Sequence, residues 1–93
     1  MLVVVTARIP PSGVRAFAAY EDAVLPLLAH HGAVLERRLR TPDGTREVHV
    51  LRFPDRAALE AYDRDPRRQS HTPLLAASGA AVDVLLDVED AAT

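Results

Sequence analysis

The side chains of this chain best suited to moving protons or binding anions are four histidines, eleven arginines and two tyrosines. His71 lies between Pro66 and Pro73, in a helical segment that the second proline interrupts. An imidazole there is a candidate general base, because its ordinary pKa falls near neutrality. Tyr62 offers a phenol for the same proton transfer and Tyr20 a hydroxyl for binding. Either ring also serves as core packing, in which case its hydroxyl needs a partner. Arg8 and Arg52 stand near the ends of two apolar segments. A cation on an apolar strand face must reach water or meet an anion. The two arginines therefore either bind a carboxylate or enolate in a cavity, or pair structurally with Asp83, Asp87 or Glu36.

The remaining histidines carry weaker signals. His30 and His31 are adjacent, so on a helix their side chains diverge by about 100° and do not chelate one ion. They read as favourable charges at a helix C-terminus. His49 keeps strand register with Leu51 and Phe53, as a satisfied core or edge histidine or as a base. No paired-histidine spacing, thiolate or glycine-rich phosphate loop is present, so no metal, haem or flavin is expected. The chain has no Cys, Lys, Asn or Trp. Cysteine nucleophiles, disulfide scaffolds and lysine Schiff bases are thereby excluded. A formal net charge of −2 argues against a nucleic-acid binder.

These residues need elements to position them. Leu2 to Ile9 is β-branched and almost continuously apolar, which predicts a buried strand. Ser12 is placed to cap a helix from Gly13 or Val14, along which Phe17, Val24, Leu25 and Leu28 recur at helical spacing. Pro26 predicts a kink near Asp22, and Gly32 a left-handed end. Ala33 to Arg40 and Arg46 to Phe53 read as antiparallel strands around the turn Thr41-Pro42-Asp43-Gly44-Thr45. Arg37, Arg38, Arg40 and Arg46 then form a solvated hairpin tip, where Arg38→Glu should matter little. Asp55 caps a helix to about Arg64, and Asp65-Pro66 restarts helical structure. Arg64, Arg67 and Arg68 read as surface. Gly79 ends that segment and Val82 to Val88 forms the last strand.

The order β-α-β-β-α-β predicts one domain over residues 1–93. Its fold class is α+β, ferredoxin-like, with a four-stranded antiparallel sheet and the helices on one face. The first strand is apolar on both sides, as is the third with Leu51 and Phe53 against Val48 and Val50. A sheet apolar on both faces needs a second cover, and a second copy of the chain supplies one.

The run Phe53-Pro-Asp-Arg-Ala-Ala-Leu-Glu-Ala-Tyr62, followed by Asp65-Pro66 and Gln69, carries a family resemblance. So does the first helix, with Phe17, Tyr20, Leu28 and Gly32. Together they resemble the small bacterial domains of the dimeric α+β barrel superfamily. The nearest resemblance is to its domain-of-unknown-function family, and more distantly to the antibiotic-biosynthesis monooxygenases and the YCII-related proteins. The resemblance implies a homodimer with facing sheets and a small cavity between sheet and helices in each protomer. It also implies that His71 lies at the cavity rim. The Asn-Trp-Arg constellation associated with the monooxygenase branch is impossible here, because Asn and Trp are absent. The His-Asp pairing of the YCII-like proteins is missing from the first strand.

Two functions follow as expectations. The first is a small cofactor-independent enzyme of isomerase, cyclase or oxygenase type, acting on a hydrophobic oxygenated molecule such as a polyketide-like intermediate. His71 and Tyr62 would be catalytic, and Arg52, Arg8 and Tyr20 would bind substrate. The second is a non-catalytic dimeric protein that binds a small hydrophobic or anionic ligand. The first residues carry no basic segment and too short an apolar run for a secretion signal or membrane span. A cytoplasmic location without membrane or nucleic-acid partners is expected.

Overall fold

The computed structural model describes residues 1–92. Four strands, β1 (Leu2–Arg8), β2 (Val34–Arg40), β3 (Arg46–Arg52) and β4 (Ala81–Val88), form one sheet in the order β2-β3-β1-β4. Every neighbouring pair is antiparallel. Helix α1 (Val14–Val24) connects β1 to β2, while α2 (Arg56–Arg64), α3 (Pro66–Gln69) and α4 (Thr72–Ser78) connect β3 to β4. This is the ferredoxin-like α+β arrangement.

The helices cover one face of the sheet. At period two, Val3 and Ala7 of β1 and Glu47, His49 and Leu51 of β3 face them and are buried. Leu2, Val4, Val48 and Val50 face the other way. The buried apolar side chains fall into two clusters. One joins Val3, Leu28, Leu51, Phe53, Leu59 and Tyr62; the other joins Ala7, Ile9 and Phe17. Burying each phenylalanine contributes roughly 2–3 kcal/mol. Along β1 the clusters part at Val5, which lies opposite His49 of β3.

Local chemistry explains most boundaries, including two that differ from expectation. The Asp55 carboxylate accepts the Ala58 N–H at 2.8 Å and caps α2. Asp65 does the same for Arg67 at 2.9 Å, with Pro66 at the first position of α3. Pro26 does not merely kink the first helix. Helix α1 stops at Val24 and the chain continues as a 3₁₀ helix, Leu25–His31, whose tighter bonding accommodates the missing N–H. Gly32, at φ 68°, closes it as a left-handed cap. Ser12 makes no capping bond. Pro11–Gly13 is a short 3₁₀ turn instead, and Gly13 occupies the cap position. A side chain at Gly13 would meet the Ser78 carbonyl, because an ideal Cβ would lie 1.8 Å from that oxygen. The glycine thus lets the start of α1 cross the end of α4 closely.

Candidate active site

Between the two core clusters a cavity of about 360 Å³ opens on the helix side of the sheet. That volume is at the lower end for small-molecule sites. Its apolar walls include Val5, Val24, Leu51 and Phe53, with Val82 and Val84 from β4. Its polar lining comes from α1 (Tyr20 and Glu21), β3 (His49), α2 (Arg56, Glu60, Tyr62 and Asp63) and α3 (Arg68).

His49 is 3% exposed and its neighbour Glu47, two residues earlier on the same face, is also 3% exposed. His49 Nε2 lies 2.8 Å from Glu47 Oε1. Arg38 of β2, which stands beside His49 in the strand register, donates from Nε to the same oxygen at 2.8 Å. Burial alone would push the Glu47 carboxyl up, but the bonds from Arg38 and His49 outweigh it and hold Glu47 below its ordinary value. Glu47 is therefore a carboxylate, an acceptor only, and the histidine must donate from Nε2. In the neutral ring this assigns the lone pair to Nδ1. That nitrogen lies 4.0 Å from Glu21 Oε2.

Glu21 sits on the apolar stripe of α1, four residues after Phe17 and three before Val24. Burial pushes its carboxyl up to about 7; the Arg38 charge opposes this and the Glu47 charge adds to it. Near neutrality Glu21 is thus divided between acid and base, with the His49 ring nitrogen 4.0 Å away. This is the pairing that general acid–base catalysis needs.

The two tyrosines differ. Burial pushes the Tyr62 hydroxyl up to about 12, against the opposing Arg68 charge, and it donates to the Val24 carbonyl at 3.3 Å. Tyr62 lines the cavity as expected of a site residue, with its hydroxyl hydrogen already given to the Val24 carbonyl. Its ring packs against Phe53 at 5.8 Å and beneath the Arg68 guanidinium at 4.9 Å. The Tyr20 hydroxyl is buried without a hydrogen-bond partner among the described residues, and so is Arg68 Nε.

Other expected site residues lie elsewhere. Arg52 and Arg8 are on the sheet face turned away from the cavity, because residues 46, 48, 50 and 52 alternate with those under the helices. Arg52 is exposed and its Nε donates to Glu36, so it takes the structural pairing and leaves the cavity to other cations. His71 stands at the N-cap of α4, outside the cavity lining, with Pro73 in the first turn of that helix. Arg68 is not surface, and Arg38 is not part of a solvated tip, since its guanidinium closes onto buried Glu47. His31 departs from a simple terminal charge. Its Nε2 lies 2.8 Å from the buried Asp65 carboxylate, pinning the 3₁₀ helix to the α2–α3 junction. Bonds from Arg67, then from His31, hold the Asp65 carboxyl well below the usual range.

Glu47 was legible in principle, because it extends the Leu51–His49 alternation by one more step. Glu21 was legible as a carboxylate on an apolar helical stripe. Arg68 gave no periodic signal, since α3 has only four residues.

No family model matches the chain, and no curated protein does. Solved structures do match in fold. An antibiotic biosynthesis monooxygenase is 21% identical with a TM-score of 0.67, over 96% of this chain and 100% of that one. An uncharacterized NIPSNAP domain protein from Burkholderia xenovorans is 21% identical with a TM-score of 0.66, over the whole of both chains. A dimeric ferredoxin-like protein of unknown function from Jannaschia sp. CCS1 is 20% identical with a TM-score of 0.65, over 91% and 98%. These neighbours establish the ferredoxin-like α+β fold. No helix among the described residues is long and apolar enough to cross a membrane.

Proposed function

We propose that this chain is a small enzyme that moves a proton on a hydrophobic, oxygenated small molecule without a cofactor, as in an isomerisation or cyclisation. The observation that carries the proposal is the Glu21–His49 pair, buried at the end of an apolar cavity and backed by Glu47 and Arg38. The Glu21 carboxylate removes a proton from a carbon next to a carbonyl, leaving an enolate. The proton is held on Glu21 or passed to His49 Nδ1, and returns to a different atom of the same molecule. Atoms and charge balance over that cycle. Similarity to a structure described as an antibiotic biosynthesis monooxygenase supports a small-molecule role. The Glu47–His49 bond fixes the ring and its tautomer, so each turnover needs little reorganisation.

The test is hydrogen–deuterium exchange into a bicyclic enolisable ketone such as 2-tetralone, followed by NMR. The protein is expected to accelerate exchange next to the carbonyl. Glu21→Gln should lose about a hundredfold or more of that acceleration, the size of a general acid–base contribution. No acceleration over buffer with a panel of such ketones would overturn the catalytic reading in favour of a non-catalytic binder.

We also propose that two copies pair through their open sheet faces. On that face Val34, Leu39 and Leu85 are exposed in the single chain, beside Val4 and Val50. A soluble protein of this size rarely leaves such a surface uncovered. One of the similar structures is described as dimeric, which supports the pairing.

A further inference from the structure

We propose that the Tyr20 hydroxyl and Arg68 Nε together receive one anionic oxygen, so that the cavity's ligand is an apolar ring bearing a phenolate or enolate oxygen. The proposal rests on the proton-transfer reading above and names the substrate class for it. Two hydrogen-bond donors are buried in the wall of one cavity, and neither has a partner among the described residues. Tyr20 is only 3% exposed, so its hydroxyl has no recourse to bulk water. An unmade bond at such a group is costly, and two on one wall mark a place that an acceptor from outside would complete.

Several acceptors of the site are engaged elsewhere, and the Tyr62 hydroxyl, which interacts with the Arg68 guanidinium, already donates to Val24. The Val24 carbonyl takes the Tyr62 hydroxyl, and Glu47 takes both Arg38 and His49. Asp63, largely exposed, approaches the far nitrogen of Arg68 only at 3.9 Å. Burial raises the Tyr20 hydroxyl above its ordinary value despite the opposing Arg68 charge, so it remains a donor at neutral pH. Arg68 adds a permanent positive charge. Two unpartnered donors and a cation in the lining of one cavity suit a negatively charged oxygen. The apolar walls of Val5, Leu51 and Val84 suit a ring behind it. Tyr20 and Glu21 are consecutive on α1. Their side chains diverge around the helix but both line this cavity, so a ligand whose oxygen is held at Tyr20 shares the cavity with the Glu21 carboxyl.

The test compares binding of 4-nitrophenol, whose phenol and phenolate absorb at different wavelengths, with binding of nitrobenzene, which lacks the hydroxyl. The nitrophenol is expected to bind about tenfold more tightly, with a larger phenolate fraction bound than free at the same pH. Tyr20→Phe should remove about tenfold of that affinity while leaving the melting temperature of the ligand-free protein unchanged or higher, because it deletes an unpaired group. Arg68→Lys keeps the charge but loses the Nε hydrogen, and it should weaken nitrophenol without weakening nitrobenzene. Equal affinity for the two probes, or unchanged nitrophenol affinity in Tyr20→Phe, would overturn the proposal. So would a lower melting temperature in Tyr20→Phe, since the hydroxyl would then already have a partner. Glu21→Gln should still bind nitrophenol. Binding without ketone exchange would thus fail the catalytic reading alone, and exchange without nitrophenol binding would fail only the oxygen receptor.

Discussion

Glu47→Ala is expected to cost about 3 kcal/mol of stability, because it strips buried His49 and half-buried Arg38 of their shared carboxylate. His49 would lose its 2.8 Å bond and Arg38 its 2.8 Å bond in one change. Chemical denaturation at neutral pH measures the loss. The companion experiment replaces Arg38, Glu47 and His49 together by Leu, Leu and Phe, which should recover most of it while abolishing exchange. A Glu47→Ala protein within about 1 kcal/mol of the wild type would mean the network is solvated rather than buried. The sign of the pH response is also fixed. Glu47 is held below its ordinary value in the folded protein, so its contribution is present above the ordinary carboxylate range. It is lost as pH falls through the lowered value.

The second large effect is on assembly. Val50→Glu should convert a particle of twice 10.1 kDa into single chains or unfold it, because it puts a charge at the centre of the open sheet face. Val50 lies directly opposite Val4 of β1, so Val4→Glu should act alike. Light scattering coupled to size exclusion at micromolar concentration decides. A wild-type mass near 10.1 kDa throughout would contradict the paired-sheet proposal.

The fold was legible because its signals are local. The continuous apolar run of β1, the strand register of β3 and the aspartate–proline junction at Asp65-Pro66 recur in the structure at nearly the expected bounds. Pro26 was ambiguous because sequence does not say whether a proline kinks an α-helix or converts it to a 3₁₀ turn. The site was less legible for a different reason. Its polar groups sit at positions that the pattern reserves for apolar residues, such as Glu21 between Phe17 and Val24. Local rules fail at such positions when a site displaces packing. Arg52 shows the converse error, since the apolar face it shares with Val48 and Val50 is the one that the helices do not cover.

The central claim is that the cavity holds a carboxyl balanced between acid and base, and an NMR titration of ¹³C-labelled glutamate carboxyls tests it most directly. One carboxyl should titrate at about 7, well above its ordinary 4.5, and vanish from the spectrum in Glu21→Gln. Because that value is raised, the folded chain holds a proton that the unfolded chain releases. The Glu21 contribution to stability should therefore fall by about 3 kcal/mol as pH rises from 4.5 to 7, read as the difference in pH response between the wild type and Glu21→Gln. If instead every glutamate titrates within the ordinary carboxylate range, Glu21 is no acid–base group and the catalytic account is contradicted.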